Sequence, residues 1–296
     1  MEYLQDLWAT YQNLVYFLGI DAILGLSIYV TLAAGQLSLA QAAFMGIGAY
    51  TATLLTLRTH APFPVALAAG AVLPGLIALP LGVPVLRLRG VFLAIATIGF
   101  GEVVRVVVLN LKVTNGALGI SGIPNVTRLW HIAAVLAVAL FCFWRLRGSR
   151  AGYALEAIRE DETAARGLGI DVTAYKVWVF VAGALLAGVA GALAAHATFF
   201  IGPNQYGFEQ AVNILVFAIV GGVTTFWGPV AGSALITLLP EVLRGIGVRA
   251  GAVRLFVNGA VLVLVILFAP NGLAGLVSGR PGGTNWFWMR WRRGRR

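Results

Sequence analysis

The sequence predicts an all-α polytopic membrane protein with about nine transmembrane helices, eight to ten being in range, and a cytoplasmic amphipathic helix set between them. Three observations predict it. Of 296 residues, 59% are hydrophobic and 11% are charged, with a mean hydropathy of +0.88, whereas a soluble domain carries roughly 45–50% apolar and about 25% charged residues. Too little polar surface remains to clothe 31.3 kDa in water, so most of the apolar surface must face lipid or other helices. Apolar runs also recur along the whole chain, many near the ~20 residues that span a bilayer core as helix. Finally, 21 Lys and Arg against 11 Asp and Glu give +10, an excess that belongs on cytoplasmic loops and at anionic headgroups rather than on nucleic acid.

The elements follow in order. Met1 to Asp6 carries two acids and no Lys or Arg, so no cleavable signal is expected. Leu14 to Ala34, interrupted only by Asp21, is the first span and ends at Gly35-Gln36. Leu37 to Leu57 is a second run, polar at Ser38 and Gln41, that crosses fully or in part. Val65 to Val85 would rise about 31 Å as a helix, with kinks at Pro74, Pro80 and Pro84. Arg87 and Arg89 precede a fourth run, Val91 to Leu111, which holds Glu102 and Arg105. Lys112 to His131 reads as loop because its Asn-Gly and Gly-Ile-Ser-Gly-Ile-Pro stretches are turn formers without an apolar period. A short fifth span covers Ile132 to Trp144.

Arg145 to Asp171 breaks the pattern, with ten charges in 27 residues. At roughly +2.5 to +3.5 kcal/mol per charge at mid-membrane, burying it would cost on the order of 25 kcal/mol, so it lies outside the bilayer. Leu155, Ile158, Ala165 and Leu168 fall on one face of a helix there. Four runs follow, Val177 to Phe200, Val212 to Val223, Pro229 to Leu243 and Leu255 to Phe268, the middle two short for a crossing. The apolar part, 1–280, reads as a single transmembrane domain, and the tail 281–296, with Trp286, Trp288, Trp291 and five arginines, belongs on a cytoplasmic membrane surface. Nine crossings then place the N-terminus outside. The loop with Arg244, Arg249 and Arg254 also comes out external, against the charge trend.

Chemistry is mostly excluded. There is no phosphate-binding G-x-x-x-x-G-K-[ST] loop, and the only lysines are Lys112 and Lys176. His60, His131 and His196 are scattered, no metal constellation appears, Cys142 has no partner for a disulfide, and no cofactor is expected. What remains is a channel, a carrier, a structural subunit or one subunit of a pump. Glu102 and Arg105, at i and i+3, can form an intramembrane ion pair without any substrate. Asp21 has no local partner; it faces a pathway, a basic residue on another helix, or the outer interface. Ala184, Gly188 and Ala192, with Ala187 and Gly191, form the small-residue ladders that let helices approach closely. At Gly35 to Ser38 one span stops and another starts, either as a surface turn or as a break lining a cavity. On the second reading Gln36, Ser38, Gln41 and Phe44 are candidate pathway residues.

These blocks carry a resemblance. Gly35-Gln36-Leu37-Ser38-Leu39 running into Ala43-Phe44-Met45-Gly46, Leu86-Arg87-Leu88-Arg89-Gly90-Val91-Phe92, Phe100-Gly101-Glu102-Val103-Val104-Arg105 and Gly119-Ile120-Ser121-Gly122-Ile123-Pro124 are four of them. Ala157-Ile158-Arg159-Glu160-Asp161-Glu162-Thr163-Ala164-Ala165-Arg166-Gly167-Leu168-Gly169-Ile170, Trp227-Gly228-Pro229 and Pro270-Asn271-Gly272-Leu273 complete the set. The chain resembles the permease subunits of bacterial branched-chain amino acid ABC importers, the LivM-like family. The resemblance implies half of a translocation pore in the inner membrane, moving hydrophobic amino acids by alternating access and performing no covalent chemistry itself. It implies as partners a second related permease, two cytoplasmic ATPase subunits and a periplasmic binding protein, besides membrane lipid. Ala164, Ala165 and Gly169 then fit the spacing of the Glu-Ala-Ala coupling motif, with Glu162 one position farther upstream than the strict pattern, and Arg159, Glu160 and Asp161 join them as candidate ATPase-coupling residues. The same machinery carrying urea or short amides, or a stand-alone channel or secondary carrier, is the competing reading.

Overall fold

The computed structural model describes residues 2–245, 259–260, 263 and 272–277. Most of the expected ninth run, Arg249 and Arg254, Pro270-Asn271 and the tail 281–296 lie outside the described residues. The helices are α1 (Glu2–Ala33), α2 (Gln41–Thr59), α3 (Phe63–Val85), α4 (Val91–Asn110), α5 (Leu129–Arg147), α6 (Arg150–Glu160), α7 (Glu162–Gly167), α8 (Val172–Thr198), α9 (Phe208–Gly221) and α10 (Trp227–Gly245), with a further turn of helix at Gly272–Val277. Among the described residues five stretches are long and apolar enough to cross a membrane: Tyr11–Ala33 within α1, and α3, α4, α5 and α8. The chain is thus a helical, multi-pass membrane protein.

α8 sits at the centre, packed on α1, α2 and α3. The small-residue ladder explains it. A Cβ on Gly48 of α2 would strike the Gly188 backbone of α8, one on Gly188 would strike the Gly70 carbonyl of α3, and one on Gly191 the Met45 carbonyl of α2. Three backbones therefore touch where larger side chains would hold them apart. The aromatic filling is Phe44, in ring contact with Phe100 of α4 and Phe180 of α8 at centroid separations of 5.5 and 5.4 Å.

The helices run between two ends. At one, Gly35 lies against the Arg159 backbone, Arg89 reaches Glu162, and Arg159 reaches the carbonyl of Val223, so the α1–α2, α3–α4 and α9–α10 turns all meet α6 and α7. Gly35 closes α1 at φ +70°, a left-handed conformation glycine adopts without strain. At the other end Phe63, after the α2–α3 turn, stacks edge-on with His131 and His196.

Several expectations are corrected. The fifth span is longer than Ile132 to Trp144: Arg145 and Arg147 extend α5 as its last turn, where cations favour the helix C-terminus. The stretch Lys112 to His131 is not all loop, since two 3-10 turns at Lys112–Thr114 and Gly116–Leu118 precede strand β1 (Ile120–Ser121), which pairs antiparallel with β2 (Phe200–Ile201). The second run begins as helix only at Gln41. The charged segment is two helices rather than one, because Asp161 is extended (φ −154°, ψ 108°) and its carboxylate caps the start of α7. Leu155, Ile158 and Ala165 are buried as expected, but Leu168 falls past the end of α7 and is 79% exposed.

Candidate functional site

The charged segment is pinned from within. Glu162, at the start of α7, pairs through Oε1 with Lys176 Nζ of α8, and its Oε2 lies 3.5 Å from Arg89 Nη2 and 3.8 Å from Arg166 Nη2. Lys176 is buried, so this pair holds α7 down on α8 with a charge that has no water to fall back on. Ile158, Ala165 and Val172 pack beneath it as a small apolar cluster. Arg159 donates from Nη1 to the carbonyl of Val223 at 3.3 Å, tying α6 to the α9–α10 turn. Three residues on, Phe226 is buried among Leu26, Ala139, Phe143, Leu155 and Val179 of α1, α5, α6 and α8.

Of the seven coupling candidates, then, Arg159, Glu162 and Ala165 bind this chain's own helices, while Glu160, Asp161, Ala164 and Gly169 are exposed. Asp161 Oδ1 accepts from the backbone N–H groups of Thr163 (2.7 Å) and Ala164 (3.1 Å). Those bonds, Ala164's the stronger influence, hold its carboxyl below the usual carboxylate range. Gly169 turns the chain at φ +83° into open space.

The break between α1 and α2 is closed over by protein: Gln36, Ser38, Gln41 and Phe44 are all buried. The backbone is partly satisfied by Thr97 of α4, whose Oγ1 accepts from Leu39 N–H at 2.9 Å while donating back into its own helix. Gln41 Nε2 donates to Thr31 Oγ1 at 3.3 Å and Ser38 Oγ accepts from Ala40 N–H at 3.3 Å. Both amide atoms of Gln36 and Oε1 of Gln41 have no hydrogen-bond partner among the described residues. Each buried polar atom left so costs roughly 1–3 kcal/mol.

Toward the opposite end Arg105 Nε donates to Glu102 Oε2 at 3.0 Å, and its Nη1 donates to Asn204 Oδ1 at 3.0 Å, so the i, i+3 pair also ties α4 to the segment after β2. A cleft of about 700 Å³ opens between α1, α9 and α10, walled by Asp21, Asn213, Phe217, Ile236 and Thr237 and reached by Met45 of α2. Thr237 Oγ1 donates to Asp21 Oδ2 at 2.8 Å, so the first partner of Asp21 is a hydroxyl rather than a basic residue. None of Gln36, Ser38, Gln41 and Phe44 lines this cleft. Among the described residues no group of three or more His, Cys, Asp or Glu could hold a metal.

Sequence reasoning missed Arg89 and Lys176 as partners of Glu162, and Thr237 as partner of Asp21. Lys176 carried a signal, being one of two lysines and standing at the start of an apolar run; the other contacts join residues 73 to 216 apart and left none.

The family model described as branched-chain amino acid transport system, permease component, matches residues 10–266. The high-affinity branched-chain amino acid transport system permease protein LivM of Salmonella typhimurium is 32% identical over 291 residues, 86% of this chain and 66% of the relative, and LivM of Escherichia coli is 31% identical over the same shares. The permease protein LivH of Escherichia coli is 32% identical over 147 residues, 50% of this chain and 46% of LivH. The chain spans about two thirds of the length of the LivM relatives. No solved structure matches.

Proposed function

The chain belongs to the family of the branched-chain amino acid transport system permease component, and on that premise we propose that it is one transmembrane half of an ABC importer of branched-chain or other hydrophobic amino acids. Its partner half is a related permease, as the coexistence of LivM-like and LivH-like relatives supports. Two cytoplasmic ATPases supply the energy and a periplasmic binding protein supplies the cargo. This chain moves cargo by alternating access and breaks no covalent bond.

One observation carries the reading: α6 and α7 are fastened to three helix turns on their inner side and leave Glu160, Ala164, Leu168 and Gly169 outward. An exposed leucine amid charges, on a rigidly held short helix, suits a groove in a soluble subunit. A push on it reaches α8 through Lys176 and the α9–α10 hairpin through Arg159, a rigid-body transmission. The arginines gathered there support its assignment as the cytoplasmic end, and on this reading the N-terminus is periplasmic and the C-terminus cytoplasmic, with nine crossings. Gly272 against Gly222 supports the ninth, since it returns the chain to that end after α10 has left it.

Gln36, Ser38, Gln41 and Phe44, buried at the turn from α1 into α2, border the inner half of the path. The unpartnered amide atoms of Gln36 and the unpartnered Oε1 of Gln41 support this, being a donor and acceptors kept dry until the gate opens.

The test is co-purification of the ATPases with the variant Ala164→Glu, Leu168→Glu. We expect the chain to insert normally, the ATPases to be lost and leucine uptake into proteoliposomes to stop. Unchanged co-purification and uptake overturn the docking assignment, and ATP-independent leucine uptake by the chain alone overturns the importer reading. Uptake of urea in place of leucine keeps the machine and corrects its cargo.

A further inference from the structure

The cleft between α1, α9 and α10 has no role in the reading above, and its chemistry is specific. One wall carries the carboxylate of Asp21, inside a stretch long and apolar enough to cross a membrane. Only Thr237, among the described residues, makes a hydrogen bond to it, and no Lys, Arg or His stands in the lining. A carboxylate has about four acceptor sites, and one hydroxyl fills one. With no cation beside it among the described residues, such a group at membrane depth is costly unless it serves a ligand or pathway.

The remaining lining completes a pattern. Glu241, one turn along α10 from Thr237, adds a second carboxylate to the lining, while Asn13, Gln205, Gln210 and Asn213 bring side-chain amides, which donate to a carboxylate without adding charge, and Phe17 and Phe217 bring aromatic surface. We propose that this cleft is a binding site for an amino acid with an apolar side chain, in which Asp21, oriented by Thr237, takes the ammonium group. The amides receive the carboxylate and the aromatic wall the side chain. A compound with a carboxylate but no ammonium is repelled by Asp21, and a neutral amide such as urea can donate to it but brings no charge to pair with it. The cleft reaches the α9–α10 hairpin whose turn Arg159 grips, so occupancy and the coupling segment bias the same element.

The proposal rests on the importer reading and names a cargo site within it. The experiment uses the purified complete transporter without its binding protein. Ile236→Cys, at a lining position given no part in holding the ligand, is labelled in a Cys142→Ser background with a thiol reagent in the presence of leucine, 3-methylbutylamine (ammonium only) or 4-methylpentanoate (carboxylate only). Leucine and the amine are expected to protect the cysteine and the acid is not. Asp21→Asn should weaken protection by leucine roughly tenfold or more, the loss expected of a charge-assisted contact, and Asp21→Glu should restore part of it. Thr237→Val should weaken it less, as a positioning residue. Equal protection by the acid, no protection by leucine, or an undiminished effect in Asp21→Asn overturns the site. ATP hydrolysis stimulated by loaded binding protein is measured on the same preparation: its presence with any of those failures sinks the cleft assignment alone, and its absence sinks the importer reading.

Discussion

α8 and α4 are both long apolar helices, yet 67% of the apolar stretch of the first is buried inside the chain and only 22% of the second. Hydropathy does not tell them apart; residue size does. α8 presents Ala184, Ala187, Gly188, Gly191 and Ala195 to its neighbours, whereas α4 holds Val91, Phe92, Ile95 and Val103 outward. In lipid, an apolar surface gains little by leaving solvent, so burial follows from how closely backbones can approach. The helix that becomes the core is the one whose side chains stay out of the way.

The largest expected effect breaks that comparison if it fails. Gly188→Leu places a side chain into the Gly70 carbonyl and Pro74 of α3. Overpacking costs roughly 1–3 kcal/mol where side chains can yield and more where backbone must move, so the variant should yield no monodisperse protein on size-exclusion chromatography. A Gly188→Leu chain that purifies normally would mean that the seam does not set the core.

Next comes the charge that fastens α8. Glu162→Gln leaves Lys176 buried without its counter-charge, and removing one partner of a buried pair costs about 3–5 kcal/mol. Arg89, 65% exposed at the start of α4, contributes about 0–1 kcal/mol to the same cluster. Thermal unfolding in detergent should therefore show a large fall for Glu162→Gln and almost none for Arg89→Gln. Equal falls would put α4 and α8 on the same footing and erase the contrast.

A smaller effect has the opposite sign. Nothing stands within 4 Å of a Cβ built on Gly99 or Gly101 of α4. Gly101→Ala should stabilise by about 0.5–1 kcal/mol, the helix-interior advantage of alanine, measured as a rise in unfolding temperature of the isolated chain. If the same substitution impairs the assembled transporter, that face is covered by another subunit rather than by lipid.

These contrasts show what was legible in the sequence. The helical membrane class came from composition and run length. The seam came from the Ala184-Gly188-Ala192 spacing, because close approach needs only a local pattern. The ties across the molecule were not legible: Glu162 to Arg89, Arg159 to Val223 and Asp21 to Thr237 depend on which turns meet, and no local period encodes that. Leu168 was misplaced for a related reason, since a helical wheel continues past a boundary that Asp161 and Gly169 impose through backbone geometry.

The smallest effect concerns the junction between the exposed α5 and the buried α8. Asp161 caps α7 in its charged form, and the backbone N–H groups of Ala164 and Thr163 hold its carboxyl below the usual carboxylate range. A group depressed in the folded state stabilises at pH values above its unfolded pKa and loses that contribution as pH falls through the folded one. α7 should thus keep its cap at neutral pH and fray only in acid below the ordinary carboxylate range. Hydrogen exchange at Thr163 and Ala164 reads this directly: exchange, corrected for its intrinsic pH dependence, rises in acid in the native chain. In Asp161→Asn, a side chain that caps without titrating, that rise should be absent. If α8 frays along with α7, Lys176 and Glu162 do not isolate the core from its coupling segment, and the seam and the surface helix form one cooperative unit.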